Sequence, residues 1–186
     1  AQVCADWEKV ALRAVKDTRV VVFRLGVVLG RNGGIVSKLS PSFKYGFGAK
    51  IGSGEQIMSW VHIDDVVNAF FYAVKNQSMS GVFNLTAPTP VSNRDFTLAL
   101  AKAMHRKAWL TIPSFMLKWF KGEQSAILLE ERYVLPKRLM EADFNFRNDT
   151  IQAAFKQIFR KREPVDKTKK VAAEPQATEA PNSVPE

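Results

Sequence analysis

The sequence has few of the residues that build disulfides or zinc sites. Its 186 residues include one cysteine, Cys4, and two histidines, His62 and His105. A single cysteine cannot form an internal disulfide, and this set is too small for a typical zinc site. No run of about 18 apolar residues exists, so no membrane span is expected. No strand candidate leads into a G-x-G-x-x-G turn, and no P-loop is present, so the sequence predicts no phosphate-binding turn of its own.

What the chain does contain is enough apolar material for a core and an unevenly placed charge. The apolar share is 46% and the formal net charge is +9. Residues 163–186 carry three Lys, five acidic residues, four of the nine prolines and no aromatic residue. We therefore expect a disordered tail there. The basic surplus before the tail is scattered rather than clustered, which favours a solvated surface over a nucleic-acid site, even near Lys118 and Lys121.

The first half of the chain alternates helical and strand-like patterns. Residues 1–16 have apolar residues at helical spacing, and residues 20–23 (VVVF) are typical of a parallel strand buried on both faces. Gly33-Gly34 opens a helix with Ile35, Leu39, Phe43 and Phe47 on one side. Residues 58–63 predict a strand. Asp64-Asp65 would cap the following helix, whose apolar stripe is Val67, Phe70, Phe71 and Val74.

The second half continues the alternation. A strand is expected over 82–85, a helix from a Ser92–Asp95 capping box to about His105, and a strand over 109–112. Helices are expected near 115–120, 124–130, 136–141 and 150–160. Trp109, Phe115, Trp119 and Phe120 are interpreted as core or interface packing. Alternating strands and helices predict an α/β fold with a parallel sheet.

Four segments together resemble one known family. They are residues 24–30 (RLGVVLG), 52–66 (GSGEQIMSWVHIDDV), 84–88 (NLTAP) and 134–139 (VLPKRL). In this order and spacing they resemble the epimerase-like proteins of the extended short-chain dehydrogenase/reductase superfamily, over roughly residues 1–160. The resemblance implies the C-terminal part of such a protein: the end of the parallel Rossmann sheet plus the smaller substrate lobe.

The resemblance also implies a division of the chain. Residues 1–30 would end the NAD(P)-binding Rossmann lobe, residues 31–162 would form the substrate lobe, and residues 163–186 the tail. NADP would be bound mainly by an upstream half that holds the Gly-rich turn. In this chain, the backbone at Leu25, Gly26 and Val28 would pass the nicotinamide end of the cofactor. Gly26 permits close approach, and its apolar neighbours provide a dry wall for the ring; packing at a strand end is the equally weighted alternative.

Catalytic residues are not identified by the sequence. By the resemblance, Cys4 stands where ordinary members carry a catalytic Lys, and a thiol is never cationic. We expect Cys4 to be a small buried apolar residue. Val27 and Met58 stand where nucleotide-sugar epimerases use Asn and Arg, so an apolar or smaller polar substrate is expected. A hydrogen bond within the fold is the favoured role of His62, and a helix end that of His105.

Two functions stay open. The first is an NADP-dependent oxidoreductase or epimerase when full length, inactive as this piece; the second is a non-enzymatic cofactor sensor or scaffold on the same fold. A stand-alone basic binding module is a third, weaker hypothesis. The expected ligand is a small molecule of unknown identity, with no metal, no nucleic acid and no membrane partner. A homodimer of the full-length protein and an intracellular location, either cytoplasm or an organelle matrix, fit this interpretation.

Overall fold

The computed structural model describes residues 2–113 and 133–160. In chain order, the elements are α1 (Gln2–Arg13), β1 (Val21–Leu25), β2 (Val27–Gly30), α2 (Gly34–Lys44), β3 (Gly48–Ile51), β4 (Ile57–Met58), β5 (Trp60–His62), α3 (Ile63–Lys75), β6 (Gly81–Leu85), β7 (Val91–Ser92), α4 (Asn93–Ala103), β8 (Ala108–Ile112), α5 (Lys137–Glu141) and α6 (Ile151–Phe159). None of the helices in these two ranges is long and apolar enough to cross a membrane.

The strands pair mainly in parallel. β1 pairs with β6, β2 with β5 and β3 with β8, all in parallel, whereas the short strands β4 and β7 pair antiparallel. Parallel pairs need long crossover connections, and here helices provide them. The predicted α/β fold with parallel strands is therefore confirmed.

The predicted burial of β1 on both faces is wrong. Val21, Val22 and Phe23 are only partly buried, and Arg24 and Leu25 are exposed. The pattern of residues 20–23 correctly predicted a parallel strand, but burial depends on neighbours. Within the described residues, β1 has β6 as its one partner strand, so its other edge is uncovered.

The first core cluster joins α2, α4 and α6 to β5. Trp60 is fully buried in it, and the rings of Phe96 and Phe155 meet edge to face with centroids 5.1 Å apart. Full burial of one such side chain stabilises a fold by about 1.5–3 kcal/mol. This cluster therefore holds the C-terminal helix α6 against the middle of the chain.

The second core cluster lies between α3, β6 and α5. It contains Ala69 and Ala73 from α3, Phe83 from β6, Leu139 from α5 and Phe144 after it. The apolar stripe predicted for α3 faces the other way: Val67, Phe70, Phe71 and Val74 are 47–67% exposed. Together with Ile63, which is 41% exposed, they form what we call the exposed α3 face. Both stripes of this helix are apolar, and local periodicity cannot tell which one faces the core.

Two expectations about element boundaries near residue 60 are corrected. The strand predicted over 58–63 is two strands, β4 and β5, separated at Ser59, and Ile63 already begins α3. Asp64 and Asp65 lie in the first turn of α3 and do not cap it. The cap is His62, whose Nδ1 accepts a hydrogen bond from the backbone N–H of Asp64 at 3.1 Å.

The Ser92 cap of α4 is confirmed, since its Oγ accepts from the N–H of Asp95 at 3.0 Å. Phe47 lies beyond the end of α2 and is 64% exposed, and Trp109 is 74% exposed, so neither is a core residue. The helices predicted near 115–120 and 124–130, with Phe115, Lys118, Trp119, Phe120 and Lys121, and the tail 163–186 lie outside the described residues.

Candidate functional site

The chain changes partner strand at Gly26, where β1 ends and β2 begins. The N–H of Gly26 donates to the carbonyl of Leu85 at 3.1 Å, continuing the β1–β6 pair. The next N–H, of Val27, donates instead to the carbonyl of Ser59 at 2.9 Å, at the start of the β2–β5 pair. The carboxyl ends of β1 and β6 thus meet at one point. In open α/β folds, ligands bind at such strand ends.

Position 26 is occupied by glycine because neighbouring atoms of the protein leave no room there for a side chain. A Cβ atom here would lie 2.8 Å from the carbonyl oxygen of Ser59 and 3.0 Å from Cγ2 of Thr86. Two of the neighbouring atoms belong to backbone and cannot move aside cheaply. Packing at the strand end therefore explains the glycine, and contact with a cofactor stays a prediction.

A third segment is tied to the same point. The N–H of Val134 donates to Ser59 Oγ at 2.8 Å, and Thr86 Oγ1 donates to the carbonyl of Val134 at 3.0 Å. Ser59 and Thr86 are both buried. Patterns along the sequence do not group these three residues, because the bonds span 48 and 75 residues. We call Leu25, Gly26, Ser59, Thr86 and Val134 the strand-end junction.

Of the predicted cofactor-binding residues, Leu25 is the most accessible. Its side chain is 50% exposed at the end of β1, whereas Val28 packs against the second core cluster. A half-exposed apolar side chain at a parallel strand end fits one wall for a flat nicotinamide ring. Contact of the cofactor with Leu25, Gly26 and Val28 stays a prediction, and the described residues include no Gly-rich phosphate turn.

Val27 and Met58 both pack against the first core cluster. Met58 Sδ lies 3.9 Å from Nδ2 of Asn93, its one polar contact among the described residues. Neither side chain offers a charged or strong hydrogen-bonding group. The expectation about the substrate at these two positions stays a prediction.

Cys4 is exposed on α1, so the prediction that it is buried is wrong. No side chain of α1 is fully buried in the described structure, although Glu8, Ala11 and Leu12 are half-buried. One turn further along, Glu8 forms a two-point ion pair with Arg24, at 2.6 and 2.7 Å. The hydrogen bonds from Arg24 lower the pKa of Glu8 below its usual value.

The interpretation of His62 as a histidine bonded within the fold is confirmed. It is 3% exposed, and burial lowers the pKa of its ring, although the carboxylates of Asp64 and Asp65 oppose the shift. Asp65 is fully buried and accepts from the N–H groups of Arg147 and Asn148, at 2.8 and 3.1 Å, and from Asn148 Nδ2 at 3.1 Å. These hydrogen bonds hold α3 against the segment before α6. The role of the Asp65 carboxylate is therefore structural rather than that of a general base.

His105 lies just past the end of α4, as predicted. Within the described residues, no group of three or more His, Cys, Asp or Glu side chains could hold a metal ion.

Two family models match the chain. The NAD dependent epimerase/dehydratase family matches residues 1–86, and a domain of unknown function (DUF1731) matches residues 112–158. The chloroplastic homologue of the epimerase family protein SDR39U1 from Arabidopsis thaliana is 42% identical over 158 residues, covering 85% of this chain and 46% of that protein. An epimerase family protein of Mycobacterium leprae is 41% identical, covering 83% of this chain and 51% of that protein.

Solved structures agree with this relation. The crystal structure of human epimerase family protein SDR39U1 (isoform 2) with NADPH is 34% identical, with a TM-score of 0.74 over 78% of this chain and 50% of the human one. A Thermus thermophilus UDP-glucose 4-epimerase complex with NAD, at 19% identity and a TM-score of 0.59, shows the shared fold alone. This chain spans about half the length of the curated relatives that it matches.

Proposed function

This chain belongs to the epimerase-like family of extended short-chain dehydrogenases/reductases, and from that premise we propose that it is the C-terminal part of an NADP-dependent oxidoreductase or epimerase-like enzyme. The observation that carries the proposal is the strand-end junction, with half-exposed Leu25 beside Gly26, in a chain 34% identical to a human protein crystallised with NADPH. Bound nicotinamide would supply hydride exchange. This chain's residues would orient the ring and keep water from one face.

The proposal assigns only part of the cofactor site to this chain. Leu25 would contact the ring as an apolar wall, and the Gly26 backbone would lie alongside. The residues that hold the phosphates and choose NADP over NAD would belong to the upstream half, as the family resemblance implies. The chain alone should therefore have no measurable reductase activity and little affinity for NADPH.

The substrate in this proposal is apolar or a small polar molecule. Val27 and Met58 would present hydrocarbon and a thioether where nucleotide-sugar enzymes present an amide and a guanidinium. A desolvated diphosphate needs charge-assisted hydrogen bonds, and these two side chains cannot donate them. Affinity for a nucleotide sugar would therefore be weak.

A second candidate function rests on Cys4. With a thiol in place of the lysine that would hold the ribose and lower the pKa of a catalytic tyrosine, proton transfer loses its usual support. A protein can keep this fold after the catalytic activity has been lost. The same site would then serve a non-enzymatic protein that senses the cofactor or acts as a scaffold.

The first measurement is the mass of the native protein, by immunoblot of source cells with an antibody against this chain. A band well above 20.9 kDa is expected. A band at that mass would favour a binding function over the proposed enzyme.

The second measurement is NADPH binding by titration calorimetry, comparing the longer protein with this chain alone. The proposal expects binding by the longer protein only, and weaker binding by its Leu25→Glu variant. Val67→Glu on the exposed α3 face is a matched control. A longer protein with no affinity for NADPH or NADP⁺ would refute the proposal. Hydride transfer to members of a broad carbonyl panel would favour the enzyme over the sensor.

A further inference from the structure

A groove of about 600 Å³ runs between α4 and α6, away from the strand-end junction, with which it shares no residue. Its floor is apolar and its rim is basic. We call Ala99, Ala103 and Phe159 the groove floor. We call Lys102, His105, Lys156 and Arg160 the basic rim, and Gln152 completes the lining. No acidic side chain of the described residues lines the groove.

The charges of the basic rim are not needed to cap the helices that carry them. At the end of α4, the N–H groups of His105 and Arg106 donate to the carbonyls of Lys102 and Ala101, at 3.1 and 2.8 Å. This is the backbone capping pattern that satisfies the last carbonyls of a helix. At the end of α6, Arg31 donates to the carbonyls of Ile158 and Arg160, at 2.7 and 2.6 Å.

Lys102, Lys156 and Arg160 of the basic rim form no ion pair with an acidic side chain among the described residues. The ion pairs found there involve Arg24, His62, Arg94 and Lys137, and no side chain of the rim. The basic side chains around the apolar floor therefore have no ion-pair partner inside the described part of the protein. Such a surface is complementary to a ligand that is both anionic and apolar.

His105 brings its side chain to the groove from the position just past the end of α4. Its φ is +55°, in the left-handed region, at the position after a helix where glycine is usual. Glycine would hold this conformation without strain, whereas histidine adds an imidazole at the groove.

We propose that the α4–α6 groove binds a small amphipathic anion, an aliphatic chain that carries one carboxylate. The chain would lie on the groove floor, with the methylene stems of Lys102 and Lys156 along its sides. The carboxylate would pair with the basic rim. A volume of about 600 Å³ is within the usual range for small-molecule sites, which favours a single small ligand over a protein or a nucleic acid.

Decanoate is the probe, titrated calorimetrically into the full chain at protein concentrations at which light scattering shows no aggregation. Acetate has the carboxylate without the long aliphatic tail, and decanol has the aliphatic tail without the charge. Decanoate should bind at least about tenfold more tightly than either, and more weakly as salt screens the rim. Acetate binding as tightly as decanoate would reduce the groove to a simple anion site and overturn the proposal.

Paired lysine variants locate the binding. Lys102→Gln with Lys156→Gln should weaken decanoate binding about tenfold, because two rim cations are lost. Lys38→Gln with Lys75→Gln removes the same charge elsewhere and should leave the affinity within about twofold. Lys75 ends α3, so this control also detects decanoate bound to the exposed α3 face. Equal affinities for both double variants, or a larger loss in the control, would overturn the proposal.

The two histidines provide a second readout. Carbon-bound ring proton signals of His62 and His105 can be separated by the variant His105→Asn, which keeps a residue tolerant of the left-handed conformation. Decanoate should shift the His105 signal and leave that of buried His62 in place. Shifts confined to His62, or no shift at saturating decanoate, would refute binding at this groove.

Discussion

Replacing Asp65 with asparagine removes a buried acceptor and leaves the shape of the side chain almost unchanged. The carboxylate is fully buried at the first turn of α3. One oxygen accepts from the N–H of Arg147, and the other accepts two bonds from Asn148. The amide of Asp65→Asn has one oxygen, so one of these two groups of donors would face an NH2 group instead.

The size of the effect follows from the orphaned donors. A hydrogen bond to a charged group contributes about 1.5–3 kcal/mol, and a buried donor without a partner costs about 1–3 kcal/mol. If the amide oxygen keeps both hydrogen bonds from Asn148, only the Arg147 N–H loses its acceptor. We therefore expect the free energy of unfolding to fall by about 2–4 kcal/mol.

The matched control is Asp64→Asn, one residue earlier in the same helical turn. It removes the same charge from the same helix N-terminus, but its side chain is 48% exposed and accepts a side-chain hydrogen bond from Gln157. Its loss should be about 0.5–1 kcal/mol. Urea unfolding at neutral pH, followed by far-UV circular dichroism, measures both. Equal losses for the two variants would refute the reasoning from burial and buried donors.

Gly26→Ala should lower the free energy of unfolding by about 1–3 kcal/mol, because its Cβ would lie 2.8 Å from a backbone oxygen. Gly33→Ala is the control: no atom lies within 4 Å of its Cβ, so it should change the free energy of unfolding by less than about 0.5 kcal/mol. Similar urea midpoints for these two variants would contradict the close approach at the strand-end junction. Burial lowers the pKa of His62, so its ring is neutral in the native state, and the stability it contributes is present above about pH 6.5 and lost as pH falls below it. His62→Asn, which keeps an acceptor at the cap, should flatten the fall in unfolding free energy below that pH; an unchanged slope would assign the dependence to other groups. The isolated chain should self-associate through its exposed apolar surfaces, and Phe71→Lys with Val74→Lys should reduce this in light scattering; a monodisperse wild-type monomer would contradict it.

Much of the local structure could be predicted from the sequence, because it depends on neighbours along the chain. The parallel strand at residues 20–23, the Ser92 cap and the last helix after Thr150 follow from β-branched runs, capping side chains and helical spacing. The family was recognisable for a related reason. Its motifs lie in short continuous segments, so no tertiary information was needed to find them.

The tertiary structure decided which surfaces are buried. In α3, both stripes are apolar, and the contacts of Ala69 and Ala73 with the second core cluster turn the larger side chains outward. Cys4, expected to be buried, is exposed because it lies on a part of α1 whose side chains the described residues leave in solvent. Burial depends on what packs against an element, and periodicity along that element does not contain this information.

By itself, the sequence determined the α/β alternation of most helices and longer strands, the family, and Leu25, Gly26 and Val28 as candidates near a strand end. Only the tertiary structure brought Ser59, Thr86 and Val134 to that strand end and placed the basic rim around one apolar floor. The physical reason is the distance along the sequence over which each kind of interaction acts. Capping and periodicity act over one or two turns, whereas the strand-end junction is held by hydrogen bonds between residues 48 and 75 positions apart.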